Sequence, residues 1–244
     1  MSKTKTTLKF TSKNVNLMIR KHLIEDKPAI LDFYADNHPE AYSQLFNYSK
    51  SDLRNACSRV FNHSLKYSLG NTAVDTNKDI ITFGFMATDF YHNLRDNFKK
   101  DYFLRPNAPK LEVEFIQQLN SKIPAKFMPT KFGEVCGVDA CVNPMYSRLG
   151  ILKNSFIYFI REAKERKYKY LITRNIAQGS KTFISNTGAI KVGYINLTDF
   201  TTSEGIRPFK NAEKLFVGQH FDNEINALVL DIQTADLDYL EKNL

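Results

Sequence analysis

Between Val142 and Ile172 the chain passes through an extended segment, a basic turn holding one glycine, a long amphipathic run and a second extended segment. Leu152, Phe156, Phe159, Ile160 and Ala163 fall at i, i+4, i+7, i+8 and i+11, which puts them on one stripe of a helix over 150–167. Lys164, Arg166 and Lys167 crowd its last turn, where positive charge suits the negative end of the helix dipole. A helix that buries one stripe between two short extended runs has to pack on a sheet, so this stretch commits the chain to a mixed α/β layout.

The remaining pattern fills in that layout. Val15 to Leu23 alternates as a first strand after a short basic tail, and Asp26 before Pro28 starts a helix carrying Ile30, Leu31, Phe33 and Tyr34. A second helix is expected from Pro39 to Phe46 and a third from Ser51, where Leu53, Cys57, Val60 and Phe61 share a face. "YSLGNTAVD" and "IITFGFMATDF", separated by Thr76 to Asp79, read as an antiparallel hairpin. Residues 91–130 look like an insertion between strands three and four, with one helix marked by Leu111, Phe115 and Leu119. Glu134 to Val142 is extended again. Tyr168 to Thr173, Ile190 to Leu197 and Asn226 to Ile232 are further strands, with a helix over Gln178 to Asn186 and an irregular excursion over 198–224 before the last strand. These make one domain over 1–244 around a central sheet of about seven strands.

Composition narrows the function classes. The longest apolar runs are too short to cross a bilayer, so a soluble protein with no membrane partner is expected. Three cysteines, Cys57, Cys136 and Cys141, form no C-x-x-C pair, and the five histidines show no ligand spacing. No metal site is expected, and a reducing compartment is: the cytoplasm or the mitochondrial matrix, with the cytoplasm preferred because the leader lacks an Arg-rich amphipathic helix. A net charge of +8 favours an anionic partner or a solvated lysine-rich surface. The basic aromatic stretch from Tyr91 to Lys110 suits nucleic acid in composition, but packing over the sheet explains it as well and no RNA-binding signature occurs.

The turn after Val142 carries Arg148, Gly150 and Lys153 and feeds directly into the helix, whose first N–H groups have no partner within it. It is either an anion cradle or a plain connector. Neither the Walker pattern nor the dinucleotide fingerprint is present.

The run "VDACVNPMYSRLGILKNSFIYFIREAKERK" resembles the acyl-CoA binding segment of the Gcn5-related N-acetyltransferases, the GNAT superfamily, with Val142, Pro144, Tyr146, Gly150 and Ile151 in register. "YKYLITRNIAQGSKTFISNTGAIKVGYI" is similar to the strand, helix and strand that follow in that family. Ser180 and Gly188 keep register there, and Asn175 lies two positions early. The stretch "YINLTDFTTSEGIRPF" is weakly similar to arylalkylamine-type members, and the resemblance covers about two thirds of the chain.

The resemblance implies an α/β (α+β) GNAT-like, mostly antiparallel sheet flanked by helices. It also implies transfer of an acetyl group from acetyl-CoA, as cosubstrate, to a primary amine of unidentified structure, by direct attack in a ternary complex. Ala140, Cys141 and Val142 would meet the pantetheine and thioester, and Arg148, Leu149, Gly150, Ile151 and Lys153 the diphosphate. Asn175 and Ser180 complete the cofactor-binding set. Glu134 is the first candidate to deprotonate the amine and Asp139 the second. Cys136 and Cys141 lie five residues apart on a strand and so face opposite sides, which favours buried packing over a covalent acyl-enzyme. Ser147 replaces the usual Arg or Gln, Leu152 the last small residue of the loop, and Ile184 the tyrosine that often protonates the leaving thiolate. These departures carry the alternative: a noncatalytic GNAT-like subunit that docks in a larger assembly through its basic face and the 91–130 insertion.

Overall fold

The computed structural model describes residues 7–38, 40–91, 110–212 and 221–243. The strands in chain order are β1 Leu8–Ser12, β2 Val15–Lys21, β3 Asn71–Asp75, β4 Ile80–Asp89, β5 Val135–Val142, β6 Tyr170–Ala177, β7 Ile190–Asn196 and β8 Phe221–Asp231. They form one sheet in the order β1-β2-β3-β4-β5-β6-β8-β7. Every pairing is antiparallel except the parallel one between β5 and β6. Seven helices are described: α1 Lys27–Asn37, α2 Glu40–Leu45, α3 Lys50–Tyr67, α4 Lys110–Ser121, α5 Ile151–Glu165, α6 Gln178–Asn186 and α7 Leu237–Asn243.

The sheet is covered on both faces. On the front, the stripe of α5 supplies Phe156, Phe159 and Ile160 to a core that includes Phe85, Ala87, Cys136 and Leu171, with Ile184 of α6 and Leu240 of α7 at its margin. On the back, α1 and α3 bury Ile30, Tyr34, Cys57 and Phe61 against Met86 and Cys141. Beside them, Phe46, Phe115 and Leu119 lie against Val135, Ile172 and Ala227. Cys136 in the front core and Cys141 in the back core confirm the alternation expected of residues an odd number apart. Ser49 starts α3 with its side chain accepting from the Asp52 N–H, while the Asp52 carboxylate returns a bond to the Ser49 N–H.

Tyr34 fastens α1 to the middle of the sheet. Its hydroxyl donates to the Gly84 carbonyl at 2.8 Å and stands 3.2 Å from the Asp139 carbonyl, so one side chain spans β4 and β5. A Cβ at position 84 would lie 2.6 Å from the Tyr34 ring, so the strand carries glycine where the ring presses on it.

Several features differ from the sequence reading or go beyond it. The sheet has eight strands rather than about seven, because Leu8 and Phe10 pair with Ile19 and Leu17 across a tight turn whose Lys13 and Asn14 both have positive φ. β6 runs four residues past Thr173, and β8 starts at Phe221, inside the stretch expected to be irregular. β8 also inserts between β6 and β7, pairing with both. A C-terminal helix, α7, follows the last strand. Residues 92–109 of the expected insertion, most of the basic aromatic stretch, Pro39 and residues 213–220 of the excursion lie outside the described residues.

Candidate functional site

β5 and β6 are hydrogen-bonded at only three rungs, Val135 with Tyr170, Cys136 with Leu171 and Gly137 with Ile172. Beyond these the two strands part. β5 stays paired to β4 as far as Val142, and β6 stays paired to β8 with a register shift between Asn175 and Ala177, so each lip of the opening is held by its other neighbour.

The pairing fixes which main-chain groups face the opening. The Asn143 N–H donates to the Thr82 carbonyl at 3.0 Å, and the Lys169 N–H donates to the Glu134 carbonyl at 2.7 Å. Successive residues of a strand turn their main-chain groups to opposite sides, so Asp139 and Cys141 address β4 while Val138, Ala140 and Val142 address the gap. The Ala140 N–H is thus a donor on the lip of the opening.

A cavity of about 260 Å³ passes through this gap from one face of the sheet to the other. On the front its wall includes Val138, Ala140, Leu152, Phe156, Asn175, Ser180, Phe183 and Ile184. On the back it includes His38, Met86, Glu112, Phe115, Leu119, Asp139, Cys141 and Arg174. Among these wall residues both carboxylates, Glu112 and Asp139, are on the back.

At the front end, β5 gives way to a single turn over Pro144–Tyr146, set by the Asn143 side chain accepting from the Met145 N–H at 3.0 Å. The Tyr146 hydroxyl donates to Asp75 at 2.9 Å, which anchors the turn to the β3–β4 hairpin, and with the Asn77 N–H it helps hold the Asp75 carboxyl below its usual range against the effect of burial. Arg148 and Gly150 both have positive φ, 60° and 74°, on either side of the buried Leu149. Gly150 is the N-cap residue of α5 and has no side chain to cap it, so the N–H groups of Ile151, Leu152 and Lys153 find no intrahelical acceptor. This end of the opening therefore presents main-chain donors at the positive end of a helix dipole.

The sequence-predicted residues divide into groups. Asp139, Ala140, Cys141, Asn175 and Ser180 line the cavity together. Arg148, Leu149, Gly150 and Ile151 form the turn and helix start. The side chains of Leu149 and Ile151 point into the core, so these two bring only their main chain to the turn. The Lys153 ammonium donates to the Glu241 carbonyl at 2.7 Å, which ties α5 to α7. Leu152 leans on the front core and forms one wall of the cavity without closing it. Burial pushes the thiols of Cys136 and Cys141 well above their usual pKa, and each lies within reach of a carbonyl, Tyr170 at 3.5 Å and Asn37 at 3.2 Å.

Glu134 is placed differently from the sequence expectation. It is not part of the cavity wall. Its carboxylate accepts from the Lys169 ammonium at 2.8 Å, from the Thr130 N–H and hydroxyl at 2.8 Å each, and from the Lys131 N–H at 3.1 Å. The Lys169 bond first, then those from Thr130, hold its pKa at about 2. A carboxylate so stabilised as an anion is a poor acceptor for an ammonium proton. The geometry gives Glu134 a turn-closing role.

Sequence reasoning passed over Glu112 and Tyr48. Glu112 is 2% exposed at the start of α4, and its carboxylate accepts the Tyr48 hydroxyl. The signal was present: Glu112, Phe115, Ile116 and Leu119 fall at i, i+3, i+4 and i+7, which puts a charge on the apolar stripe of a helix, and all four line the cavity. No group of His, Cys, Asp and Glu that could hold a metal ion occurs among the described residues, and none of the described helices is long and apolar enough to cross a membrane.

No family model matches the chain, and no curated protein matches its sequence. Solved structures do match in fold. The C-terminal condensation domain of Ebony, in complex with beta-alanyl-dopamine, superposes with a TM-score of 0.69 at 15% identity, over 89% of this chain and 99% of that one. Arylalkylamine N-acetyltransferase 2 from Aedes aegypti gives 0.67 at 14% identity, over 88% and 99%. The polyamine N-acetyltransferase of Drosophila melanogaster gives 0.57 at 10% identity, over the same shares. At these identities the likeness establishes the fold.

Proposed function

We propose that this chain, which has the fold of the Gcn5-related N-acetyltransferases, transfers an acetyl group from acetyl-CoA to a primary amine. The observation that carries the reading is the opening between β5 and β6, a passage through the sheet with the Ala140 N–H on its lip. The fold neighbours named for amine acetylation support it.

Acetyl-CoA fits the front of the passage. The uncapped N–H groups of Ile151, Leu152 and Lys153 suit a diphosphate, and the lack of a Cβ at Gly150 lets it approach the backbone. Pantetheine runs between β5 and β6 past Asn175 and Ser180, pairing with the Val138 carbonyl and the main-chain groups of Val142 that β6 leaves unused. The Ala140 N–H polarises the thioester carbonyl and stabilises the negative charge that grows on its oxygen during attack. The amine enters from the back, where the carboxylates are. Its nitrogen bonds to the carbonyl carbon in a ternary complex, the C–S bond breaks, and the thiolate leaves toward the front. Ile184 stands on the front wall and offers no proton, so the thiolate takes one from solvent or through the Ser180 hydroxyl.

Two measurements test this. Calorimetry with acetyl-CoA is expected to show one site, and thiol release from acetyl-CoA is expected to require an added amine such as phenethylamine. Absence of binding at millimolar acetyl-CoA overturns the reading. The second reading, a noncatalytic subunit with this fold, is favoured by Ile184 and by Ser147 in place of the usual Arg or Gln; amine-dependent turnover by the purified monomer discards it.

A further inference from the structure

α7 docks on α5, the helix whose start meets the diphosphate in the reading above. Its seven residues are too few to make a stable helix alone, so α7 depends on what it packs against. Leu240 is 1% exposed and joins Ile157 and Tyr158 of α5 in the front core, with Leu237 packed at the margin. Three polar contacts add to this, each from a cation of α5. The Lys164 ammonium donates to the Ala235 carbonyl at 2.5 Å, just before α7 begins. The Arg161 guanidinium pairs with the Glu241 carboxylate, and the Lys153 ammonium donates to the Glu241 carbonyl at 2.7 Å. Glu241 is thus gripped by two side chains that leave α5 eight residues, or about 12 Å, apart.

Lys153 differs from the other two cations in where it starts. It belongs to the first turn of α5, which carries no acidic residue, so a positive charge is rooted at the positive end of the helix dipole. That placement is unfavourable until an anion joins it. The Lys153 Cα is only about 3 Å along the helix axis from that of Ile151. Its flexible four-carbon stem therefore lets the ammonium swing from the Glu241 carbonyl to a phosphate on the N–H groups of Ile151 and Leu152. A bond between two charged groups is stronger than one from an ammonium to a neutral carbonyl, so the phosphate wins the side chain. We propose that Lys153 is shared between α7 and the diphosphate, which makes α7 a strap whose docking and cofactor binding oppose each other. This rests on the acyl-transfer reading above. With α7 seated, Lys153 is engaged by Glu241. A diphosphate draws it back, and α7 is left with Arg161, Lys164 and its two leucines. By reciprocity, whatever lifts α7 tightens the cofactor by the factor with which the cofactor loosens α7.

The test uses the full chain and reads two quantities: coenzyme A affinity by calorimetry, and deuterium exchange of the α7 amides by mass spectrometry. Saturating coenzyme A is expected to speed exchange over 237–243 in the wild type by at least about threefold, the reverse of the slowing that a bound ligand ordinarily gives. Leu240→Ala loosens α7 and is expected to bind coenzyme A about three- to tenfold more tightly than the wild type. Glu241→Ala, at an exposed position that leaves the core intact, should shift the affinity the same way by less, and it decides the matter if Leu240→Ala does not fold. Lys153→Gln is expected to weaken coenzyme A binding, and in that background Leu240→Ala should change the affinity by less than about twofold. Purely structural roles for the two residues do not produce that non-additivity. Unchanged or slower exchange over α7 with coenzyme A bound, or loosened variants that bind it no more tightly than the wild type, overturns the inference and leaves the acyl-transfer reading standing. Coenzyme A binding to none of these proteins overturns both.

Discussion

Lowering the pH from 7 to 4 should cost this protein roughly 3 kcal/mol through one side chain, His22. The imidazole is buried just after β2, with Nδ1 2.6 Å from the Thr72 hydroxyl and the Phe61 ring centroid 5.1 Å away. Its Nε2 meets no partner among the described residues. Backbone packs so closely here that a Cβ on Gly70 would come within 2.2 Å of the ring. Burial drives the pKa from 6.5 to about 4, with Asp26 opposing it. The sign follows from where the proton goes: between these two values the unfolded chain is protonated and the folded one is not. Stability from this group is therefore complete above 6.5, falls as the pH drops, and levels off below about 4. A gap of 2.5 pH units at 1.36 kcal/mol each gives the figure above. Urea unfolding by circular dichroism, run from pH 7.5 to 4 on the wild type and on His22→Asn, isolates it, because other titrating groups cancel in the difference. The stability gap between the two proteins is expected to shrink by roughly 3 kcal/mol toward pH 4. A gap that holds constant across that range refutes the reasoning.

Glu134→Gln is expected to lose about 1–2 kcal/mol at pH 7, because Lys169 is partly solvated and its ion pair screened. The contribution is present above the unfolded pKa near 4.5 and fades as the pH falls toward 2. Turnover per folded molecule should not change; a hundredfold loss would restore Glu134 as the base. Gly84→Ala puts a Cβ 2.6 Å from Tyr34 and should cost about 2 kcal/mol or more, seen as a lower Tm. Ala140→Leu fills the lip of the passage and should weaken acetyl-CoA binding by at least about tenfold without lowering Tm; unchanged affinity would place the ligand elsewhere.

The sequence made α5 plain because its apolar stripe is an unbroken local pattern, and the turn before it plain because glycine and proline punctuate it. The opening itself is not written in the residue pattern, and only the family resemblance implied it, through the pantetheine contacts expected of Ala140 to Val142. It depends on β5 and β6 pairing at three rungs and then each holding to a different neighbour, and nothing within either strand encodes that. The insertion of β8 between β6 and β7 is hidden for the same reason. Glu134 misled because a carboxylate at a strand start looks solvated in sequence, whereas Lys169, 35 positions later, is brought to it by the parallel pairing. Glu112 was legible as a charge on an apolar helical stripe, but its partner Tyr48 is 64 positions away. β1 was concealed by Lys9 and Thr11, which alternate outward with Leu8 and Phe10 and made the segment look like a polar tail.

A crystal structure with coenzyme A tests the central claim most directly. Pantetheine is expected threaded between β5 and β6 with an amide facing the main chain of Val138 or Val142, and the diphosphate on the N–H groups of Ile151 to Lys153. Coenzyme A bound away from that passage, or a passage that stays empty at millimolar ligand, would contradict it.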